Sequence, residues 1–99
     1  MAQLVIKWSR KALNKFDDKS LWYLANCGES FVKSFVKDVN ETVSVISCSP
    51  GIGRMKKENK TFTYRLYSNH PRCSIYYKYD EHSVYIIDLI FTDMAYRPC

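Results

Sequence analysis

The sequence predicts an α+β fold in which two antiparallel helices pack on a mainly antiparallel sheet, in the order β-α-α-β-β-β. Two stretches in the first half place apolar residues at helical spacing. Runs in the second half alternate apolar and polar residues and are rich in aromatic and β-branched side chains, as strands are. Because the chain has 99 residues and no linker-like segment, we expect a single domain over residues 1–99.

The first two elements follow from local signals. Residues 4–8 form a short apolar run bounded by charge and predict the opening strand. Ser9 is a suitable N-cap for the first helix, and Gly28 is a suitable C-cap. The spacing of apolar residues slips at 17–20, where we expect a kink or a short break. The apolar side of this helix is predicted to carry Leu13, Phe16, Leu21 and Leu24.

The second helix is predicted from Glu29 to Cys48, where apolar residues recur every three or four positions. Because the link between the helices is very short, we expect an antiparallel pair. Many of the apolar residues are β-branched, so packing rather than intrinsic propensity must stabilise this helix. The recurring residues are Phe31, Val32, Phe35, Val36, Val39, Val43 and Ile46.

The second half is predicted to form three strands, at 62–67, 73–79 and 84–92. The sequences at 68–71 and 80–83 are expected to be turns. The last strand is almost continuously apolar, which indicates a central strand covered on both faces. Between the second helix and these strands, residues 54–60 are expected to form a solvated loop. The expected core contains Phe35, Val39, Val43, Ile75, Ile86 and Leu89.

Charge and cysteine usage limit the classes of function. The formal net charge of +5 favours an anionic partner such as nucleic acid, an acidic protein segment or a membrane surface, and it also favours solubility. No cysteines are closely paired, so we expect no metal site and no cofactor. Without an N-terminal apolar leader, we expect a reduced, cytoplasmic protein. Cys27, Cys48 and Cys73 are then small, partly buried side chains, and Cys99 is a free terminal thiol.

Several short motifs occur in a specific order. Trp8-Ser9 precedes the first helix, Phe31 leads the second, and Pro50-Gly51-Ile52-Gly53-Arg54 follows it. Arg65 lies on the next strand. An Ile75-Tyr76-Tyr77 strand, an Asp80-Glu81 hairpin and a long apolar strand close the pattern. Over nearly the whole chain, this order resembles the RelE/ParE superfamily of bacterial toxins.

The resemblance implies the toxin of a bacterial type II toxin–antitoxin system, neutralised by a cognate antitoxin. RelE-like members cut messenger RNA in the ribosome, and ParE-like members poison DNA gyrase. We expect a ParE-like, gyrase-directed or degenerate member that inhibits growth. A RelE-like ribosome-dependent mRNA endoribonuclease is the alternative, and only in that case is the protein an enzyme. A non-toxic binding module of the same fold is a further alternative. No membrane or small-molecule partner is implied.

Departures from the family pattern favour the non-toxic binding module and count against a competent nuclease. Many ParE-like tails carry an Arg where this chain has Ala95, between Asp93 and Pro98. Thr63 occupies a position where RNA-cutting members carry a Lys, and Cys73 occupies a likely Arg position. Arg72 is one residue away, and a one-residue offset in a strand turns the side chain to the opposite face. The set of nuclease residues is therefore incomplete, and we expect weak mRNA cleavage or none.

The resemblance also supplies candidate site residues. If cleavage occurs, Arg65 and Arg72 hold the phosphate and Arg97 neutralises developing charge. Tyr96 stacks on a base or assists proton transfer. The densest basic cluster is the candidate target-binding surface and consists of Arg54, Lys56, Lys57 and Lys60.

Structural roles compete with these functional ones. Arg65 is at least as well explained by an edge ion pair or by stacking on a tyrosine. Tyr76, Tyr77 and Tyr79 are expected to divide between the core and the surface rather than to stack on bases. A carboxylate within an apolar strand needs a partner, so Asp88 is expected to pair with Arg65 or Arg72 across the sheet. His70 and His82 are expected in turns, with His82 exposed.

Overall fold

The computed structural model describes residues 3–70 and 73–91, which form two helices and five strands. No helix in this part of the chain is long and apolar enough to cross a membrane. The predicted class and the order β-α-α-β-β-β are confirmed, with one additional strand. In chain order the elements are β1 (Val5–Trp8), α1 (Arg10–Cys27), α2 (Glu29–Cys48), a short 3-10 turn (Pro50–Ile52), β2 (Arg54–Glu58), β3 (Thr63–His70), β4 (Cys73–Tyr79) and β5 (Ser83–Phe91).

The strands form one sheet in the order β1-β5-β4-β3-β2. Strand β1 runs parallel to β5, and the other three pairings are antiparallel. Strand β5 is internal, as predicted, but it is not covered on both faces. Val84, Ile86 and Leu89 are fully buried, whereas Ile90 is 46% exposed. The expectation was wrong here because the core forms on only one face of the sheet, as the alternating burial along β4 also shows.

The additional strand is β2, in a segment predicted to be a loop. All five residues from Arg54 to Glu58 are exposed, and the strand lies at the edge of the sheet. Its sequence lacks an apolar alternation because neither of its faces contributes to the core. Backbone pairing with β3 makes it a strand. Strand β3 also extends to His70, which pairs with Cys73, so residues 68–70 are strand rather than turn.

Helix α1 begins at the predicted cap. The Ser9 hydroxyl accepts the Ala12 N–H at 3.0 Å and donates to the Ile87 carbonyl at 2.8 Å, which ties the start of α1 to β5. The helix is continuous from Arg10 to Cys27, so the expected break at 17–20 does not occur. Gly28 ends the helix with φ of +93°, a conformation that favours glycine, and this turn connects α1 directly to α2.

The predicted apolar face of α1 is mostly wrong. Leu13, Leu21 and Leu24 are 45%, 65% and 49% exposed, whereas Ala12 and Tyr23 are buried. The helix presents its Ala12 and Tyr23 side to the core because the large aromatic rings of α1 pack there against those of α2. The slip in apolar spacing thus marks a second, exposed apolar stripe rather than a break in the helix.

The predicted core residues are all buried, from 0% exposure for Ile86 and Leu89 to 5% for Val43. Aromatic rings fill the space where the helices meet the sheet. The ring of Phe35 lies 5.6 Å from that of Phe16 and 5.0 Å from that of Tyr23, measured between centroids. The aromatic rings of the core therefore connect α1 to α2, and Phe35 also contacts Phe91 of β5.

The cysteines differ from expectation. Cys73 is a free thiol at 4% exposure, and burial raises its pKa to about 12. Cys48 is also free but exposed rather than partly buried. Cys27 is disulfide-bonded, so the expectation of three reduced thiols is wrong at that position. Residue spacing alone does not report which cysteine side chains approach one another in the folded chain.

Asp88 pairs with lysines of α1 and not with Arg65, while Arg72, the other expected partner, lies outside the described residues. Its carboxylate oxygens lie 2.9 Å from Lys15 Nζ and 3.4 Å from Lys11 Nζ. Burial raises the pKa of Asp88, but the hydrogen bond from Lys15 and the charges of Lys15 and Lys11 outweigh burial and hold that pKa below its ordinary value. The expected pairing with Arg65 is wrong because the first turns of α1 lie against this part of β5.

The pH dependence of the Asp88 contribution follows from its lowered pKa. A carboxylate with a lowered folded-state pKa stabilises the fold above its unfolded pKa of about 3.9, and the stabilisation disappears as the pH falls through the folded value. We expect Asp88→Asn to cost about 1 kcal/mol at pH 7, since both lysines are solvent-exposed. Urea denaturation of both proteins across the acidic range should show this difference closing below about pH 3.9. Asp17→Asn, which removes an exposed carboxylate from α1, the helix that carries both lysines, is the control. A cost of Asp88→Asn that persists unchanged into acid would contradict the assignment.

Candidate functional site

The Pro50–Arg54 turn, which the sequence singled out, is organised around the hydroxyl of Tyr77. This side chain is fully buried, and its hydroxyl donates to the Pro50 carbonyl at 2.6 Å. The same hydroxyl accepts the Gly53 N–H at 3.1 Å. Burial raises the pKa of Tyr77, with the Gly53 N–H and the nearby Arg65 charge acting in the opposite direction, so the hydroxyl remains a proton donor. One tyrosine of β4 thus fixes the turn that joins α2 to β2.

Gly53 is required in this turn by lack of space. A Cβ atom at this position would lie 2.8 Å from the Tyr77 hydroxyl and 2.9 Å from the Leu66 carbonyl oxygen. The φ of Gly53 is −76°, which any residue adopts, so its conformation imposes no such requirement. The second glycine of the motif therefore allows the backbone to approach β3 and β4.

Arg65 is held on the same side of the sheet as Tyr77, its register partner on β4. Its Nη1 donates to the Gly53 carbonyl at 2.8 Å, and its Nε donates to the Tyr79 hydroxyl at 3.2 Å. The expected structural role is only partly correct, since a tyrosine does contact the guanidinium, but through its hydroxyl and not by stacking. Its Nη2 makes no hydrogen bond to any described residue.

The chemistry of this cluster is limited. The partners of Arg65 among the described side chains and backbone groups are the Tyr79 hydroxyl and the Gly53 carbonyl, so this cluster supplies a positioned cation. Cys73, at the position where an RNA-cutting member would carry an arginine, is buried in the core and cannot face a substrate. Electrostatic stabilisation is what these residues offer.

The four predicted target-binding cations lie together at one edge of the sheet. Arg54, Lys56 and Lys57 are on β2, Lys60 is in the loop that follows, and all are exposed. Met55 of β2 pairs with Arg65 of β3, so the basic edge and the Arg65 cluster lie on adjacent strands. A β-bulge between Met55 and Lys57 changes the register there, and Lys57 Nζ lies 5.2 Å from the centre of the Tyr64 ring.

The structure leaves part of the predicted site untested. Arg72, Tyr96 and Arg97 lie outside the described residues, as do Asp93, Ala95, Pro98 and Cys99, so their roles stay predictions. His82 is exposed in the hairpin, as expected. The described part of the chain contains no group of three His, Cys, Asp or Glu side chains that could hold a metal ion.

Sequence reasoning missed the central position of Tyr77. The signal was present, because Tyr77 shares its strand face with Ile75 and Cys73, two residues apart at each step, and such an alternation predicts burial. A buried tyrosine usually has a hydrogen-bond partner for its hydroxyl. The partner itself, the backbone of the Pro50–Arg54 turn, could not be inferred without the fold.

Comparison with known proteins places this fold. No protein-family model and no curated protein matches the chain. A solved chain of the chromosomal ParDE TA system from P. aeruginosa is similar with a TM-score of 0.68, at 18% identity, over 92% of this chain and 98% of that one. The YoeB dimer from Staphylococcus aureus is similar with a TM-score of 0.58, at 21% identity, over 93% and 100% of the respective chains. The chain therefore has the fold of the ParDE and YoeB structures, and the RelE/ParE-like fold that the motif order predicts is confirmed.

Proposed function

We propose that this protein is the toxin of a bacterial type II toxin–antitoxin pair, of the ParE-like, gyrase-directed kind or a degenerate member of it. The observation that carries the proposal is the similarity to the ParDE chain over nearly the full length of both chains. The TM-score of 0.68 to that chain exceeds the 0.58 to the YoeB structure, which favours the ParE-like side.

The Arg65 cluster supports the same preference. Two of the guanidinium nitrogens are bound to Gly53 and Tyr79, and the position expected to hold a third-strand arginine is the buried Cys73. A ribonuclease needs groups that move protons as well as groups that stabilise charge. The described residues supply charge stabilisation, so inhibition by binding fits them better than cleavage does.

A RelE-like mRNA endoribonuclease is the second candidate, and one observation favours it. Arg65 Nη2 makes no hydrogen bond to a described residue, and Arg65 lies beside a strand carrying three cations, which suits a phosphate. In that case Arg65, Arg72, Tyr96 and Arg97 are the residues that act. A non-toxic module of the same fold is the third candidate and takes its support from the departures at Thr63, Cys73 and Ala95.

The target is tested by inducing the protein without its antitoxin. We expect growth arrest, inhibition of gyrase supercoiling by the purified protein, and no A-site cleavage in an in vitro translation mapped by primer extension. Arg65→Ala should reduce the inhibitory activity by about 10²–10³-fold if the guanidinium contacts the target, since that is the usual effect of losing one such electrostatic contact. Lys37→Ala, an exposed cation on α2, is the matched control.

The outcomes separate the three candidates. Strong A-site cleavage would overturn the ParE-like proposal, and cleavage that survives Arg65→Ala would also overturn the assignment of Arg65. A folded protein that arrests neither growth nor gyrase would overturn the toxin proposal and leave the binding module.

The proposed partner is an acidic antitoxin segment. The edge strand β2 has unpaired backbone groups on its outer side and only one acidic residue, Glu58, among its five. Strand addition at such an edge is a common way to bind a peptide. The exposed apolar residues of α1, namely Leu13, Leu21 and Leu24, offer a second contact for an amphipathic segment.

Antitoxin binding should depend on salt and on the β2 cations. We expect the association rate to fall as salt rises, because exposed charges steer the encounter. Arg54→Gln with Lys56→Gln should slow association, and Lys37→Gln should not. Calorimetry and stopped-flow mixing with the product of the neighbouring gene measure both effects. If that product does not bind, the partner assignment fails.

A further inference from the structure

A row of alternating lysines and tyrosines crosses the whole sheet. Each strand contributes one residue at the same level: Lys7 from β1, Tyr85 from β5, Lys78 from β4, Tyr64 from β3 and Lys57 from β2. Each neighbouring pair in this row is a register pair of the sheet. We refer to these five residues as the lysine–tyrosine ladder.

The ladder lies on the face of the sheet opposite the helices. Tyr77, Val84 and Ile86 are the neighbours in sequence of Lys78 and Tyr85, and all three are fully buried in the core. Because successive side chains of a strand point to opposite faces, Lys78 and Tyr85 point away from the core. This face is distinct from the one that carries Arg65, which is paired with Tyr77.

Each lysine of the ladder lies over an aromatic ring. Lys7 Nζ is 5.5 Å from the Tyr85 ring centre, and Lys57 Nζ is 5.2 Å from that of Tyr64. Lys78 Nζ is 5.5 Å from the Tyr85 ring centre and 6.0 Å from that of Tyr64. The ring of Phe62, just before β3, adds to this surface and has the Lys78 ammonium 4.2 Å from its centre. The cations and rings are therefore ordered before any ligand binds.

The lysines of the ladder form no ion pair within the described residues, although Asp80 lies near enough for the charge of Lys7 to help lower its pKa. Ion pairs in the described residues involve Lys11, Lys15 and Lys33. None of the three ladder lysines lies within 4.0 Å of a carboxylate oxygen there. A row of three cations outside direct ion pairs favours an anion with repeated charges.

We propose that the lysine–tyrosine ladder binds single-stranded nucleic acid. Bases would stack on the rings of Tyr64, Tyr85 and Phe62, and phosphates would be neutralised by the three lysines. Adjacent strands are about 4.8 Å apart, so like members of the ladder recur about every 10 Å across the sheet. Alternating aromatic platforms and cations are the features that sequence-tolerant single-strand binders use, because every base has a face that can stack.

A cavity at the β1 end of the ladder supports this ligand over an acidic peptide. Its volume is about 290 Å³, and Lys7, Lys78 and Tyr85 line it together with Trp8. This volume is near the lower end of the range for small-molecule sites, and a nucleobase is a flat ligand of the small-molecule class. The inference does not depend on the proposed toxin function, since it uses the face of the sheet opposite Arg65 and shares only Lys57 with the basic edge.

The test is fluorescence anisotropy with the full chain and labelled single-stranded dT and rU oligonucleotides of about 12 nucleotides, a length within the usual site sizes. We expect both to bind, and an abasic strand of equal length to bind much more weakly. Three neutralised phosphates predict a slope near −2 for log affinity against log salt, at about −0.7 per phosphate.

Variants separate stacking from charge. Tyr85→Leu and Tyr64→Leu should each weaken binding by roughly 5- to 150-fold without changing the salt slope, and the corresponding Phe variants should retain binding. Lys78→Gln should reduce the magnitude of the slope by about 0.7, and Lys37→Gln should not. Circular dichroism verifies that each variant is folded. Equal affinity for the abasic strand, unchanged binding by folded Tyr85→Leu and Tyr64→Leu, tighter binding of an acidic peptide than of dT, or no binding at all would overturn the proposal.

Discussion

Phe35→Ala is expected to lower the free energy of unfolding by about 3–5 kcal/mol. Phe35 is 1% exposed and lies where both helices meet the sheet, with the Phe91 ring centre 6.1 Å away. The rings of Phe16 and Tyr23 contact it from α1. Truncation removes the buried surface of the ring and leaves a cavity that the surrounding rings, fixed on α1 and β5, cannot fill.

Urea denaturation followed by circular dichroism measures this cost. Leu21→Ala is the control, because it also removes a large apolar side chain from a helix but from a site that is 65% exposed. Its cost should stay within about 0.5 kcal/mol, as for most surface changes. Equal denaturation midpoints for Phe35→Ala and the wild type would show that the ring does not hold the helices to the sheet.

Tyr77→Phe is expected to cost about 1–3 kcal/mol, although it removes a single oxygen atom. That oxygen bonds both the Pro50 carbonyl and the Gly53 N–H inside the fold. Without it, two backbone groups lose their partner where water does not readily replace it, and the penalty is the desolvation of those groups. The turn that carries Arg54 and binds Arg65 should loosen as a result.

Two measurements distinguish this local role from a general loss of packing. Hydrogen exchange should show faster exchange of the Gly53 amide in Tyr77→Phe, in addition to the lower unfolding free energy. Tyr85→Phe makes the same chemical change on the opposite face, where the hydroxyl forms no hydrogen bond to a described residue, and should be close to neutral. If the Gly53 amide exchanged in Tyr77→Phe at the same rate as in the wild type, the hydroxyl of Tyr77 would not be what holds this turn in place.

Local signals in the sequence were sufficient for most elements. The cap at Ser9, the glycine at Gly28 and the apolar spacing of α2 predicted the bounds of the helices, because caps and helical periodicity act over a few residues. The alternation in β4 and the apolar run of β5 predicted those strands in the same way. The motif order was sufficient to predict the fold, which the ParDE and YoeB structures share.

Features that depend on long-range pairing were not accessible in this way. Strand β2 exists because its backbone pairs with β3, and its side chains carry no apolar pattern to report it. The lysines that pair with Asp88 are more than 70 positions away along the chain, and the buried side of α1 depends on which face meets α2 and β5.

The lysine–tyrosine ladder also depends on long-range pairing that local sequence signals do not report. Five residues from Lys7 to Tyr85 become one row only through four strand registers, and a β-bulge in β2 and another in β5 shift those registers by a residue. A one-residue shift turns a side chain to the opposite face of the sheet. Local residue patterns specify which segments are helix or strand, whereas the surface that the strands form together exists only once their registers are set by folding.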